Sequence, residues 1–223
     1  MALSRARVRL TLALLVVAMA AAGVSAQSPA ERWTKALADF DAADRIGPPP
    51  LGDVLFLGSS TVVNWDLLRA FPGVRTLNRG VWSSSLYDAV QRIDRLVLPY
   101  APRLIVLYAG DNDINSGATS EQVAVEFERF AFNVWAKLPQ TRIVFIGLKP
   151  SPQRWSQIHR MRAANALIRQ FCEHDDRLAF LDVDGVMLGW DEKPRRDLYV
   201  EDGLHLSAQG YQLWSTLLRP LLQ

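Results

Sequence analysis

A serine hydroxyl attacks a carbonyl only when a neighbouring base takes its proton, so the histidines are the first residues to place. The chain has three, His159, His174 and His205. His159 and His174 stand in a long amphipathic stretch among Arg and Gln and read as solvent-facing helix residues. His205 differs. It closes the segment Asp202-Gly203-Leu204-His205, where a one-turn loop lets the carboxylate meet the imidazole three residues on. Such a contact holds the ring in one tautomer and stabilises its protonated form. The same residues also suit an Asp-Gly turn in which His205 merely caps the helix that follows.

The hydroxyl candidates lie in Gly58-Ser59-Ser60-Thr61. A serine at a helix start stands among free backbone N–H groups, which favour a developing anion; a plain N-cap is the alternative use. Acyl transfer needs further donors aimed at the oxyanion. Gly80, in Asn78-Arg79-Gly80, offers an N–H with no side chain in the way. Asn112, in Gly110-Asp111-Asn112-Asp113, offers an amide that does not compete for the proton His205 must carry. Each also has a plainer role, a turn glycine for the first and a loop-stabilising amide for the second. Asp111 and Asp113 have no His or Cys beside them, so no metal site is expected. Ser84 or Ser85 is expected to cap a helix. The run Lys149–Trp155 (KPSPQRW) lines the substrate through Arg154 and Trp155, or is only a rigid proline-bearing connector.

These clusters need a scaffold that gathers them. Short runs rich in β-branched or aromatic residues occur at Asp53–Leu57, Val74–Leu77, Arg103–Tyr108, Thr141–Leu148 and Leu178–Val183. Amphipathic stretches separate or follow them at Ser85–Leu98, Ser120–Leu138, Gln153–His174 and Ser207–Leu222. Continuously apolar strands alternating with helices predict a parallel sheet covered on both faces. Ligands of such sheets bind beyond the carboxyl ends of the strands. The serine, glycine and asparagine clusters each follow a strand, and the histidine cluster lies past the last one, so all four fall at one sheet edge. Ser120 is expected to cap its helix and Pro139 to stop it. Trp65 and Trp190 read as packing anchors.

Of 223 residues, 49% are hydrophobic and 22% charged. That composition excludes a disordered chain, a collagen-like repeat and a disulfide-stapled miniprotein. The chain opens with Arg5, Arg7 and Arg9, then an apolar run from Leu10 to Gly23, then Val24-Ser25-Ala26. This is the pattern of a signal peptide cleaved after Ala26; retention as an anchor is the alternative. The run is short of the ~20 residues that span a bilayer. Cleavage predicts a periplasmic or secreted protein, without stable membrane insertion, whose remaining 197 residues form one domain over 27–223. The formal charge is +2, but the leader takes three of the 25 basic residues and no acidic one. The remaining 22 basic and 23 acidic side chains carry a formal charge of −1, which removes the case for a nucleic-acid partner. Cys172 is the sole cysteine, so no internal disulfide forms, and its helical setting makes it a small core residue.

Together the clusters resemble the four sequence blocks of the SGNH (GDSL-type) hydrolase family, in order and in rough spacing, from about Val54 to Tyr211. Ser60 matches the nucleophile, Gly80 the second-block glycine, Asn112 the third-block asparagine, and Asp202 and His205 the final Asp-x-x-His. The resemblance implies a flavodoxin-like three-layer α/β/α sandwich around a five-stranded parallel sheet. It also implies a cofactor-free and metal-free serine esterase with Ser60, Asp202 and His205 as triad. Ser60, Gly80 and Asn112 would form the oxyanion hole. Two positions depart from the family pattern. Ser59 replaces the usual aspartate before the nucleophile, and Trp82 stands where a small residue is common. Trp82 would narrow or cover the acyl pocket, so a small-molecule or glycan ester with a short or acetyl group is the expected substrate. A polysaccharide or cell-envelope O-deacetylase, a lysophospholipase or a thioesterase uses the same chemistry. A carbohydrate- or lipid-binding module without turnover would have no need of all five residues.

Overall fold

The computed structural model describes residues 28–223. The leader, 1–26, lies outside the described residues. Five strands, β1 (Val54–Gly58), β2 (Thr76–Gly80), β3 (Leu104–Tyr108), β4 (Arg142–Ile146) and β5 (Leu178–Leu181), form one all-parallel sheet in the order β2-β1-β3-β4-β5. Every residue of β1 and β3 is buried. That explains their unbroken apolar runs: a strand covered on both faces needs apolar side chains at every position, not at alternate ones.

Because side chains alternate across a strand, the sheet builds two cores. Leu55, Leu57, Ile105, Leu107, Ile143 and Phe145 face one of them. This core is covered by α1 (Pro29–Ile46), α4 (Leu86–Val90), α5 (Ile93–Leu96), α7 (Ser120–Trp135) and α8 (Ile158–Cys172), with Cys172 buried within it. Val54, Phe56, Leu104, Val106, Tyr108, Val144 and Ile146 face the other. There α2 (Ser60–Val63), α3 (Leu67–Ala70) and α9 (Ala208–Leu218) close the layer through Val62, Leu67, Trp214 and Leu218. A short α6 (Asp111–Asn115) follows β3. The result is the three-layer, doubly wound sandwich expected of alternating strands and helices. Its chain reverses direction across the sheet between β1 and β3, and a crevice opens at the carboxyl ends of strands at such a point.

Some helix boundaries differ from the sequence expectation. Helix α1 was not foreseen, although Ser28 caps it in a capping box with Glu31 and Pro29 opens it. The cap of α7 is Thr119, paired with Gln122; the Ser120 hydroxyl instead donates to Arg160 O. That helix ends at Trp135, ahead of Pro139. The stretch after Ser85 is broken at Arg92, whose guanidinium lies 4.2 Å over the buried Trp33 ring while bonding Asp88. Ser85, one of the two expected caps, does cap α4. Trp65 is a buried packing anchor, whereas Trp190 is 98% exposed and anchors nothing among the described residues.

The second core is held by an aromatic cluster. Trp214 packs edge-on against both Tyr108 and Trp65, at 5.1 and 5.8 Å, and Phe56 meets Trp65 at 5.5 Å. Trp214→Ala should therefore lower unfolding stability by about 3–5 kcal/mol in urea titration. A loss below about 1 kcal/mol would show that this cluster does not carry the layer.

Candidate functional site

β1 ends at Gly58, with φ of 150°, pressed against the backbone of β3: a Cβ there would lie 2.0 Å from Tyr108 O. Only glycine allows that approach. The next residue donates its N–H to Tyr108 O at 3.1 Å, and Ser60 then stands as the first residue of α2. The Ser60 N–H has no acceptor among the described residues. Ser60 is partly exposed, whereas Ser59 and Thr61 on either side are buried. The hydroxyl choice left open by the sequence thus falls on Ser60.

The histidine arrives from the far end of the chain. An antiparallel bridge between Tyr199 and Leu206 closes a loop, within which Val200 N–H donates to His205 O at 3.0 Å. Gly203, at φ of 65°, makes the turn. Asp202 Oδ1 accepts the N–H groups of Leu204 and His205 at 2.8 and 2.9 Å. Asp202 Oδ2 meets His205 Nδ1 at 2.6 Å, and His205 Nε2 meets Ser60 Oγ at 2.9 Å. The carboxylate orients the ring, the ring contacts the hydroxyl, and the three groups form an unbroken chain. Partial burial pushes the Asp202 carboxyl up, but the ring and the two N–H donors outweigh it and hold it at about 2.

Asn112 is in place beside this chain. Its Nδ2 donates one hydrogen to Ser84 O at 2.9 Å, leaving the second for another acceptor. Gly80 is not a free donor, and here the sequence reading is corrected. Its N–H goes to Asn78 Oδ1 at 2.8 Å, because the Asn78 side chain folds back along the strand end while also donating to Val62 O. The glycine serves close packing: a Cβ would stand 2.6 Å from Val63 N in the helix that begins with Ser60. The free donors lie a little further on. In the turn after β2, the N–H groups of Trp82 and Ser83 have no acceptor among the described residues, and Ser83 has a φ of 54°. The one signal for this in sequence was the run of small residues Ser83-Ser84-Ser85.

Trp82 is half-exposed, and its ring meets that of His205 edge-on at 5.8 Å. Arg154 and Trp155 need correction as substrate-lining residues. Arg154 is 8% exposed and turned inward, its Nη2 donating to Asn112 Oδ1 at 2.8 Å and its Nη1 lying 2.9 Å from Asp111 Oδ2. Trp155 lines a cavity of about 590 Å³ with His159, Arg162, Leu188 and Lys193, which includes no member of the triad. Its ring is covered there by Lys193 at 5.0 Å.

Asp111 anchors a buried polar group that sequence reasoning missed. Its Oδ2 also receives the Tyr108 hydroxyl at 3.2 Å and lies 3.6 Å from Lys149 Nζ. Lys149 is buried and donates to the Tyr108 oxygen at 3.0 Å. Desolvation pushes the lysine down, with Asp111 opposing it, and pushes the Tyr108 phenol well above its ordinary value. Asp113 instead accepts Leu86 N–H at 2.9 Å and so holds the start of α4; burial pushes its carboxyl up. The two carboxylates are thus engaged in separate protein contacts. His159 and His174 are exposed on or beside α8, as expected.

The Asp202 geometry has a consequence for acid stability. A carboxyl near 3.8 unfolded and about 2 folded stabilises the native state above pH 3.8, and this contribution is lost as pH falls through about 2. Between those values the urea midpoint of the parent should fall more steeply with acid than that of Asp202→Asn. Parallel curves would mean that the contacts of the Asp202 carboxylate contribute nothing to folding.

The bovine (Bos taurus) platelet-activating factor acetylhydrolase IB subunit alpha1 is 31% identical over 204 residues, covering 86% of this chain and 85% of that protein. A solved structure from Streptococcus pneumonia named as a platelet activating factor superposes with a TM-score of 0.77 at 21% identity, covering 87% of this chain and 94% of the other. A GDSL-like lipase from Bacteroides thetaiotaomicron does so with a TM-score of 0.73 at 18% identity, covering 83% and 96%. The family profile of GDSL-like lipases and acylhydrolases matches residues 20–213. The chain belongs to the GDSL-like lipase/acylhydrolase family and is an ester-bond hydrolase.

Proposed function

We propose that this chain is an exported serine esterase that removes short acyl groups, acetyl above all, through an acyl-enzyme on Ser60. The observation that carries the reading is the hydrogen-bonded chain from Asp202 through His205 to Ser60, at 2.6 and 2.9 Å. Ser60 Oγ attacks the ester carbonyl as His205 Nε2 takes its proton, and Asp202 stabilises the imidazolium. The carbonyl oxygen becomes an oxyanion facing the Ser60 N–H and the second amide hydrogen of Asn112. A free N–H of the Trp82-Ser83 turn completes the set, in place of Gly80. His205 returns the proton to the leaving alcohol. Water then attacks the acyl-enzyme with the same proton path, releasing the acid and restoring Ser60.

A short acyl group is supported by Trp82, whose indole meets the His205 ring edge-on at 5.8 Å and so leaves less room next to the triad. The relatives named as acetylhydrolases agree with it. The same exposed indole supports a second reading, O-deacetylation of a glycan, since a sugar ring stacks on such a surface. Export rests on the leader at residues 1–26.

A chain-length series of p-nitrophenyl esters, run beside acetylated xylan and peptidoglycan fragments, tests the proposal. Ser60→Ala should lower kcat about ten-thousandfold or more while the circular dichroism spectrum is retained. Undiminished turnover in that variant would sink the assignment. Trp82→Ala should move the preference toward longer acyl chains; a parent enzyme already fastest on long chains would overturn the acetyl reading. Ligand binding without hydrolysis of any substrate would make the protein a binding module.

A further inference from the structure

We propose that Arg154 is a positioning residue for the oxyanion hole, acting through Asn112. The proposal rests on the reading of Asn112 as an oxyanion donor. A carboxamide has an acceptor end and a donor end, and only the donor end is useful to a developing anion. Two contacts decide which way Asn112 points. Ser84 O is an acceptor and requires the NH2 end at 2.9 Å. Arg154 Nη2 is a cationic donor and requires the oxygen end at 2.8 Å. The flipped amide would face N–H to N–H at Arg154 and oxygen to oxygen at Ser84. With both ends held, one Nδ2 hydrogen remains, in a fixed direction.

The guanidinium does more than hold. A cationic donor on Oδ1 draws electron density from the amide and makes its remaining N–H a stronger donor. Charge-assisted hydrogen bonds are the stronger kind, and burial of Arg154 keeps water from weakening this one. Arg154 is itself fixed by Asp111, whose Oδ2 lies 2.9 Å from Nη1. It sits in the short 3₁₀ segment Pro152–Gln157, where its backbone leaves helical geometry at φ −114°. The neighbouring Gln153 N–H donates to Gly203 O at 3.1 Å, inside the loop that carries Asp202 and His205. One short segment thus steadies both the oxyanion donor and the base. Lysine could not replace the arginine fully, because a single ammonium does not present two fixed prongs to Asn112 and Asp111.

The test is a double-variant cycle on the full chain: Asn112→Ala, Arg154→Met and the pair, with kcat and KM measured on p-nitrophenyl acetate and folding followed by urea titration. Asn112→Ala should lower kcat about a hundredfold. Arg154→Met should lower it about tenfold or more with KM within about twofold, and Arg154→Lys should recover part of the loss. The pair should be no slower than Asn112→Ala alone, since Arg154 then has nothing to act through. The pH–rate profile should keep its shape, because His205 is untouched. Losses that multiply in the pair, or a raised KM with unchanged kcat for Arg154→Met, would overturn the proposal. Were Arg154→Met to unfold, Arg154→Gln, which keeps an N–H donor without the charge, takes its place in the cycle. An Asn112→Ala variant of undiminished kcat would instead remove the oxyanion reading of Asn112 itself.

Discussion

The hydrogen bond between Ser60 Oγ and His205 Nε2 joins groups 145 residues apart, and the rest of the molecule is organised to keep it at 2.9 Å. Neither partner holds itself there. Ser60 depends on Gly58, which lets β1 press against β3 so that the following residue bonds Tyr108 O. His205 depends on the bridge at Tyr199 and Leu206 and on α9 behind it. Helix α9 is tied back to the serine's own helix through the Tyr211 hydroxyl on Thr61 O, and to the residues just after it through Trp65 Nε1 on Ser215 Oγ. The buried aromatic cluster of Trp65, Tyr108 and Trp214 supplies the apolar area beneath these contacts. Closing so long a loop costs chain entropy, and burial of this second core offsets it.

Below the triad the fold keeps charge out of water. Asp111, Lys149, Arg154 and Tyr108 form a compact group in which one carboxylate oxygen serves three donors or cations. A buried charge without partners is strongly destabilising, so these residues stand or fall together. Their position follows from topology: Asp111 follows β3, Lys149 follows β4, and parallel strands deliver both to one edge. The edge that carries the reacting groups therefore also gathers these buried polar side chains.

Most of the scaffold was legible in advance because its signals are local. Apolar runs of strand length, broken by amphipathic stretches, mark a parallel sheet, and the five runs became the five strands with ends displaced by a few residues at most. The Asp-x-x-His spacing is also local, and the loop realises it within four residues. The misreadings arose where a distant partner decided. Arg154 read as a substrate-lining residue because nothing adjacent in sequence reveals Asp111 and Asn112 about forty residues away. Gly80 read as a free donor, but the carboxamide of Asn78 reaches its N–H, and that conformation is held in turn by Val62 O. The helix after Ser85 breaks at Arg92, where packing on Trp33 outweighs helical periodicity.

By itself, then, the sequence determined which residue types were available for ester chemistry, the order in which they come, and the strands and helices that would carry them. Those properties depend on residue identity and on periods of two or 3.6, which short-range forces read directly. Tertiary structure alone decided which N–H groups remain free, which way the Asn112 amide points, and which charges are buried. Each of these is settled by partners remote in the chain, because polar groups removed from water are stable chiefly where another group matches them.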